Sequence, residues 1–439
     1  MEAYEVNILH QLGLNEQKVR EHVFRPEHLT DTVLASDQQK VGYVFDHPDG
    51  PLGSAALFYR LNTQQLKLDL QRLLTPCTAG YSMQLRRNGA IVFDQSNGFS
   101  KMPGDAGQIG ECWTSSTPMH VASVSKLITA MALMRVLKYH NISVNAPFWP
   151  FLPNYWIKGD SIDQLTFRDL LTHKSGLVIP GTAPGPSDFQ VMKNSIAHGV
   201  YGIPGYLNIN YGLMRILIST IDVPSLFNLF TFFDANSLGD AYWDAMTIAY
   251  YSRYVTDNIF SPLGISSSFL HTYPNALAYP WPVTLPGYNS NDLSTMSGCA
   301  AWHLSVNDLL AITDAFRRRG TIIDSIVAQN MLDNGFGVDL IGNLFWMDTK
   351  LGRIYTKGGF WGDGKSVEQS DVFFLPKGYE LVILSNSPFC QPNAAFRNNV
   401  LNTINKNIEL NILSATVTTL SALGLFALIS KSVKVQAKH

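Results

Sequence analysis

A serine and a lysine three residues apart form the most informative pair in the chain. Ser123 and Lys126 belong to the stretch Ser123-Val124-Ser125-Lys126, and on a helix this spacing places both side chains on one face. A serine hydroxyl attacks carbonyl carbon poorly at neutral pH, so it needs a nearby group that accepts its proton. A lysine amine can accept it once burial or a positive neighbour lowers the lysine pKa. The pair therefore predicts Ser123 as a nucleophile and Lys126 as its base.

Three short stretches, taken in order, carry a family resemblance. Ser123-Val124-Ser125-Lys126 is followed by Tyr206-Leu207-Asn208 and then by Lys357-Gly358-Gly359, ahead of two strand-like runs. In this order and spacing the chain resembles the serine β-lactamase and penicillin-binding-protein superfamily, most closely its class C and esterase branch. Further segments that look like this branch are residues 80–99, 165–177, 254–263 and 297–310. The resemblance covers roughly residues 65 to 406.

The second stretch supplies another acid/base candidate. A phenol held between two ammonium groups can ionise readily enough to accept the serine proton and return it to the leaving group. We assign this role to Tyr206 rather than to Tyr211, because the pattern through both tyrosines matches the family in that register. The resemblance implies that Asn208 hydrogen-bonds Lys126 and the acyl side chain of a substrate.

The third stretch is expected on a strand that lines the site. Glycine at 359 allows a substrate to approach the backbone closely. The resemblance implies that Lys357 orients a substrate carboxylate or assists Tyr206, and that the backbone N–H groups of Ser123 and Phe360 form the oxyanion hole. Family members that act on lactams or peptides have threonine where this chain has Gly358. One hydroxyl used to hold a substrate carboxylate is therefore missing.

Hydrophobic periodicity locates the elements that must position these groups. The pattern predicts a helix over 61–74, strands over about 80–87 and 90–96, a buried helix over 121–139, and strands over 371–375 and 380–385. The expected fold class is α/β (α+β): a β-lactamase-like antiparallel sheet made from both chain ends and flanked by helices, with a mostly helical second lobe. The site is expected in the cleft between the two.

The composition of the chain disfavours some classes of partner and cofactor. The 32 basic and 34 acidic residues leave a formal charge of −2, which gives no indication of nucleic-acid binding. Cysteines 77, 112, 299 and 390 have no metal-ligand spacing. We therefore expect neither a metal nor another cofactor. Separately, His173 is interpreted as a hydrogen-bonded turn residue rather than a base.

The predicted domain organisation has three parts. Residues 1–60 form an N-terminal extension of unknown role, 61–408 a β-lactamase-like hydrolase domain, and 409–439 an apolar segment with a basic tail. Residues 412–429 are uncharged and just long enough to cross a bilayer, although a helix packed against the body is the alternative. The first residues lack the basic start and apolar run of a secretory signal. We expect a protein that is membrane-associated through 412–429, or cytoplasmic.

The predicted function is that of a serine hydrolase that forms an acyl-enzyme on Ser123. It would hydrolyse or transfer acyl groups of small-molecule or peptide esters and amides, and we favour a carboxylesterase-like activity. The alternatives are a β-lactamase or D-alanyl-D-alanine carboxypeptidase, and an inactive relative with a structural or scaffolding role. A Gly-Xaa-Ser-Xaa-Gly elbow does not occur in the chain, which disfavours the α/β-hydrolase fold.

Overall fold

The computed structural model describes residues 59–177, 188–200, 202–224, 237–388 and 393–410. Nearly all of the predicted N-terminal extension and the whole apolar segment 412–429 lie outside these ranges. Within them, every helix is too short or too polar to cross a membrane. The membrane helix predicted over 412–429 lies outside the described residues and stays a prediction.

The strands of the described residues form one large sheet and two small ones. They are β1 (Tyr59–Leu61), β2 (Gly80–Arg87), β3 (Ala90–Lys101), β4 (Glu111–Cys112), β5 (Met119–His120), β6 (His303–Leu304), β7 (Met347–Thr349), β8 (Gly352–Gly362), β9 (Val367–Phe374), β10 (Tyr379–Ser385) and β11 (Ile408–Leu410). The large sheet has the order β4-β3-β2-β10-β9-β8-β7 and is antiparallel throughout. Strand β1 pairs with β11, and β5 pairs with β6.

Helices of the described residues cover the sheet and build the second lobe. They are α1 (Thr63–Leu74), α2 (Ser125–Tyr139), α3 (Phe167–Leu171), α4 (Phe189–His198), α5 (Asn208–Asp222), α6 (Ser237–Val255), α7 (Val306–Asp314), α8 (Ser325–Asp333) and α9 (Asn393–Lys406). The predicted fold class is confirmed, with the sheet drawn from both ends of the described chain.

Alternation along the central strands explains why helices lie on both faces of the sheet. Successive side chains of a strand point to opposite faces, and all seven residues of β10 are buried. Leu381 and Ile383 pack in the cluster that contains the apolar residues of α1 and α9. Val382 and Leu384 pack in the larger cluster that contains the apolar residues of α2 and α5. The larger cluster therefore joins the sheet to the helical lobe.

Two element starts differ from the periodicity prediction. The helix predicted over 61–74 begins at Thr63, because the Asn62 side chain accepts a hydrogen bond from the backbone N–H of Gln65 and caps the first turn. Leu61 ends β1 instead. The helix predicted over 121–139 is regular only from Ser125 onward, and a 3₁₀ turn, Ala122–Val124, precedes it.

Candidate active site

The proposed nucleophile lies in a strained turn at the start of α2. Ser123 is the middle residue of the 3₁₀ turn, and Ala122 before it has a φ of 47°, in the left-handed region that non-glycine residues seldom adopt. Such strain persists where the surroundings hold it, commonly at functional sites. Lys126, in the first turn of α2, has no exposed surface and donates a hydrogen bond to Ser123 Oγ at 2.9 Å. The predicted proximity of the two side chains is confirmed.

Two further hydrogen bonds of the Lys126 amine leave its third bonding position facing Ser123. Asn208 Oδ1 lies 2.9 Å and the carbonyl oxygen of Cys299 lies 2.8 Å from Lys126 Nζ. Both oxygens only accept, so they use two N–H groups of the amine. In a neutral amine the remaining position is a lone pair directed at Ser123 Oγ. The geometry thus lets Lys126 accept the serine proton without losing either of the other hydrogen bonds.

Tyr206 lies between the two lysines of the site, Lys126 and Lys357. The Nζ atoms of Lys126 and Lys357 are 5.0 Å and 5.2 Å from the centre of its ring. Although desolvation of the phenol favours its neutral form, the charges of Lys357 and Lys126 outweigh it and lower the pKa of Tyr206 below its usual value. Tyr211 is fully buried, and burial raises its pKa. The electrostatics of the site therefore favour Tyr206, as the sequence analysis did.

His173 lies against Tyr206 in a role that the sequence did not show. The two rings stack with centroids 4.3 Å apart, and the Nδ1 atom of His173 accepts a hydrogen bond from the backbone N–H of Leu207. Burial, together with the charges of Lys357 and Lys126, lowers the pKa of His173 to about 3, so the imidazole is neutral. The histidine is a hydrogen-bonded turn residue, as predicted, and it also fixes the ring of Tyr206.

Strand β8 passes the nucleophile turn at a separation that only glycine permits. A Cβ atom on Gly359 would lie 2.3 Å from the carbonyl oxygen of Val121 and 3.0 Å from the backbone nitrogen of Ser123. The Ser370 hydroxyl of the neighbouring strand donates to the same carbonyl oxygen at 2.7 Å. This contact brings the backbone of Phe360, the next residue, to the side of the cleft where an oxyanion hole is expected.

Lys357 is bound by Asp339, an acidic residue that the sequence analysis did not identify. It is 1% exposed, and its Nζ donates a hydrogen bond to Asp339 Oδ1. Arg397 of α9 donates from Nη1 to Asp339 Oδ2 at 2.8 Å and from Nε to Asp371 Oδ1 at 2.8 Å. Asp339 and Arg397 lie far from the three motifs in sequence, so no local spacing could have indicated them.

These side chains surround a cleft of about 690 Å³. It is lined by Ser123, Thr172, His173, Lys174, Pro204, Gly205, Tyr206, Gly335, Val338, Asp339, Leu340, Asn343, Phe345, Gly358, Phe360 and Arg397. A cleft of this size can take a small molecule or the end of a peptide. Among the described residues, no group of three or more His, Cys, Asp or Glu side chains could hold a metal ion.

We expect Gly359→Ala to lower activity without unfolding the protein. The added methyl group must displace β8 from the nucleophile turn, since its closest neighbour is the backbone carbonyl oxygen of Val121. A displacement of about 1 Å at a catalytic group can cost on the order of 100-fold in rate. The measurement is kcat/KM for an activated ester together with the melting temperature. Wild-type activity in this variant would contradict the close approach of the strand to Ser123.

Comparisons with known proteins gave a family match for part of the chain and solved structures with the same fold. Residues 70–231 match the family model described as Beta-lactamase. The solved structure of FmtA from Staphylococcus aureus superposes with a TM-score of 0.55 at 15% identity, covering 89% of this chain and 96% of FmtA. D-amino acid amidase from Ochrobactrum anthropi SV3 gives 0.54 at 19% identity, covering 82% and 98%. The comparison with curated protein sequences gave no match.

A third solved structure widens the range of activities found on this fold. EstCE1, described as a hydrolase with promiscuous acyltransferase activity, gives a TM-score of 0.54 at 16% identity, covering 78% of this chain and 98% of EstCE1. Residues 70–231 are therefore similar to the Beta-lactamase family, and the solved structures show that the chain has the β-lactamase-like fold. The family match and the hydrolases that share the fold support a serine hydrolase.

Proposed function

We propose that this protein is an esterase-like acyl hydrolase or transacylase whose acyl-enzyme forms on Ser123. The observation that carries the proposal is the contact of 2.9 Å between Ser123 Oγ and the amine of the fully buried Lys126. A lysine placed in this way is the group best positioned to take the proton of the attacking alcohol. Tyr206 is the second proton carrier, and the centre of its ring lies 5.0 Å from the Nζ atom of Lys126.

The reaction would run through two acyl transfers. Ser123 Oγ attacks the carbonyl carbon of the substrate while its proton passes to Lys126 Nζ, and the negative charge develops on the carbonyl oxygen. The backbone N–H groups of Ser123 and Phe360 are the proposed donors to that oxygen. The ionised Tyr206 takes the serine proton on from Lys126 and supplies it to the leaving alcohol or amine as the bond to that group breaks. Water or an acceptor alcohol then attacks the acyl-enzyme by the reverse sequence and frees Ser123.

Esters are the favoured substrate class for two reasons. The threonine hydroxyl that relatives use to hold a substrate carboxylate is replaced by Gly358. The cleft is also lined in part by the apolar residues Val338, Leu340, Phe345 and Phe360, which suit an uncharged acyl chain. EstCE1, a hydrolase with promiscuous acyltransferase activity, and a D-amino acid amidase are examples of enzymes with this fold. Asn208, which already binds Lys126, is the proposed contact for the acyl side chain.

Substrate profiling of the full-length protein tests the proposal. We expect kcat/KM for short-chain activated esters to exceed that for anilides, penicillins and peptides ending in D-alanyl-D-alanine. A penicillin that acylates Ser123 faster than any ester would favour the lactamase or peptidase alternative. Absence of turnover with every class, from folded protein, would favour an inactive structural relative.

Replacing Tyr206 by phenylalanine should reduce acylation and change its pH dependence. The loss of one acid/base group lowers the rate about 10²- to 10⁴-fold. If the ionised phenol takes part, kcat/KM of the wild type rises with pH until Tyr206 is deprotonated. Because the pKa of Tyr206 is lowered, this rise should end at a lower pH than for an ordinary tyrosine. The variant should lack this rise. The matched control is Tyr211→Phe, which removes a phenol that donates to the carbonyl oxygen of Leu171 away from the amine; equal losses in both variants would contradict the role of Tyr206.

A further inference from the structure

A carboxylate of the protein itself occupies the donors of the third motif. Asp339 accepts hydrogen bonds from Lys357 Nζ, from the backbone N–H of Gly358 at 2.8 Å and from Arg397 Nη1 at 2.8 Å. Its side chain is 14% exposed and lines the cleft. Two charged donors and one backbone donor converging on a carboxylate form a strong anion site. In this chain the anion bound at that site is the side chain of Asp339.

The absence of a side chain at Gly358 is part of the same arrangement. A Cβ atom there would lie 1.6 Å from Arg397 Nη2 and 2.6 Å from Asp371 Oδ1. Threonine therefore cannot stand at this position while Arg397 keeps its place. The guanidinium of Arg397 takes the space of the missing side chain, and its direction is fixed by ion pairs with Asp339 and Asp371.

Charges around this corner of the cleft are balanced before any substrate arrives. Lys357 and Arg397 are the basic groups, and Asp339 and Asp371 are the acidic groups. The charges of Lys357 and Arg397 outweigh the effect of burial and lower the pKa of Asp339, so its carboxylate is ionised at neutral pH. A substrate carboxylate at this corner would lie close to the Asp339 carboxylate, and like charges at close range repel. Lys357 and Arg397 could not compensate, because both already pair with Asp339.

We propose that Asp339 is a specificity-determining residue that excludes acyl substrates with a carboxylate beside the scissile bond and so restricts the site to uncharged esters and amides. This inference rests on the proposed function for the reaction, but it concerns only which substrates the cleft accepts. It gives Asp339 the place that the carboxylate of a lactam or peptide would otherwise take. The same chain without this negative charge should accept anionic substrates.

A matched pair of substrates tests the inference. The benzoylglycyl thioesters of thioglycolate and thioglycolamide differ only by a carboxylate against a carboxamide in the leaving group. We expect wild-type protein to prefer the thioglycolamide ester at least about tenfold in kcat/KM, and Asp339→Asn to reduce that preference at least about tenfold. Asp348→Asn is the control, since Asp348 pairs with Arg353 and does not line the cleft; it should keep the wild-type preference.

Binding provides a readout that does not need turnover. In a Ser123→Ala background the dissociation constants of the same two thioesters give the preference directly, with and without Asp339→Asn. A wild type that binds the thioglycolate ester as well as its partner, or a preference that Asp339→Asn leaves unchanged, would overturn the inference. If the wild type turns over neither thioester, the proposed function fails, and the ratio of dissociation constants still decides the role of Asp339.

A second variant covers the case in which Asp339→Asn does not fold. Arg397→Gln keeps Asp339 and removes one positive charge opposite it, so the preference for the thioglycolamide ester should rise above that of the wild type. A preference that stays the same or falls in Arg397→Gln would overturn the inference, because the net charge of this corner would then not act on the substrate carboxylate. A pH profile adds an independent check, because Asp339 raises the pKa of Tyr206 and Asp339→Asn should shift the rise of kcat/KM to lower pH.

Discussion

Ser123→Ala should abolish covalent labelling and reduce esterase activity on the order of 10⁴- to 10⁶-fold, the range seen when a nucleophile is removed from a serine hydrolase. The variant should fold normally. Ser123 lies in a short 3₁₀ turn and its hydroxyl accepts from Lys126, so its loss leaves that amine two other acceptors. Activity is measured as kcat/KM for an activated ester, and folding by the melting temperature.

The control for Ser123→Ala is Ser125→Ala. Ser125 is two residues away and fully buried, and its Oγ accepts a hydrogen bond from the backbone N–H of Trp302 at 3.3 Å. Its removal should lower stability by about 1 kcal/mol, as for a typical buried hydrogen bond, and leave the acylation rate within tenfold of the wild type. Substantial ester turnover by Ser123→Ala would assign the nucleophile to another residue.

Lys126→Ala should produce the second largest loss of activity. Without the amine, nothing at 2.9 Å accepts the proton of Ser123, and general-base catalysis contributes about 10²- to 10⁴-fold. The change also leaves Asn208 Oδ1 and the carbonyl oxygen of Cys299 without their Lys126 partner. Unpaired buried acceptors cost about 1 to 3 kcal/mol each, so the free energy of unfolding should fall as well.

Lys126→Arg separates the loss of the base from the loss of the charge. Arginine keeps a positive charge and several N–H donors, but it stays protonated in proteins and cannot accept the serine proton. We therefore expect Lys126→Arg to be as inactive as Lys126→Ala. Recovery of activity in the arginine variant would mean that Lys126 acts through its charge alone, with Tyr206 as the base. The test is the rate of Ser123 acylation at saturating ester.

Much of the fold follows from local signals in the chain. Asn88-Gly89 predicts a two-residue hairpin turn, and both residues have positive φ, at 50° and 81°, between β2 and β3. The unbroken apolar run 381–384 within β10 indicates a sheet covered on both faces, as observed. Ser123 and Lys126 could be paired from sequence because one helical turn brings them together.

Residues that shape the substrate end of the cleft could not be predicted in this way. Asp339 lies in the loop after α8 and Arg397 lies on the last long helix of the described chain, and each looks like an ordinary surface charge in its own segment. Only the packing of α9 against the sheet brings the guanidinium to Gly358. The unusual glycine was the one sequence signal, because it marks a place where another group fills the space of a side chain.

Intact-mass spectrometry of the full-length protein tests the central claim most directly. Wild type, Ser123→Ala and Lys126→Ala are each incubated with a fluorophosphonate and, separately, quenched during turnover of an activated ester. The account predicts one adduct on the wild type, mapped to Ser123, no adduct on Ser123→Ala and much slower labelling of Lys126→Ala. An adduct that persists in Ser123→Ala, or a folded wild type that reacts with neither reagent, would contradict an acyl-enzyme mechanism at Ser123.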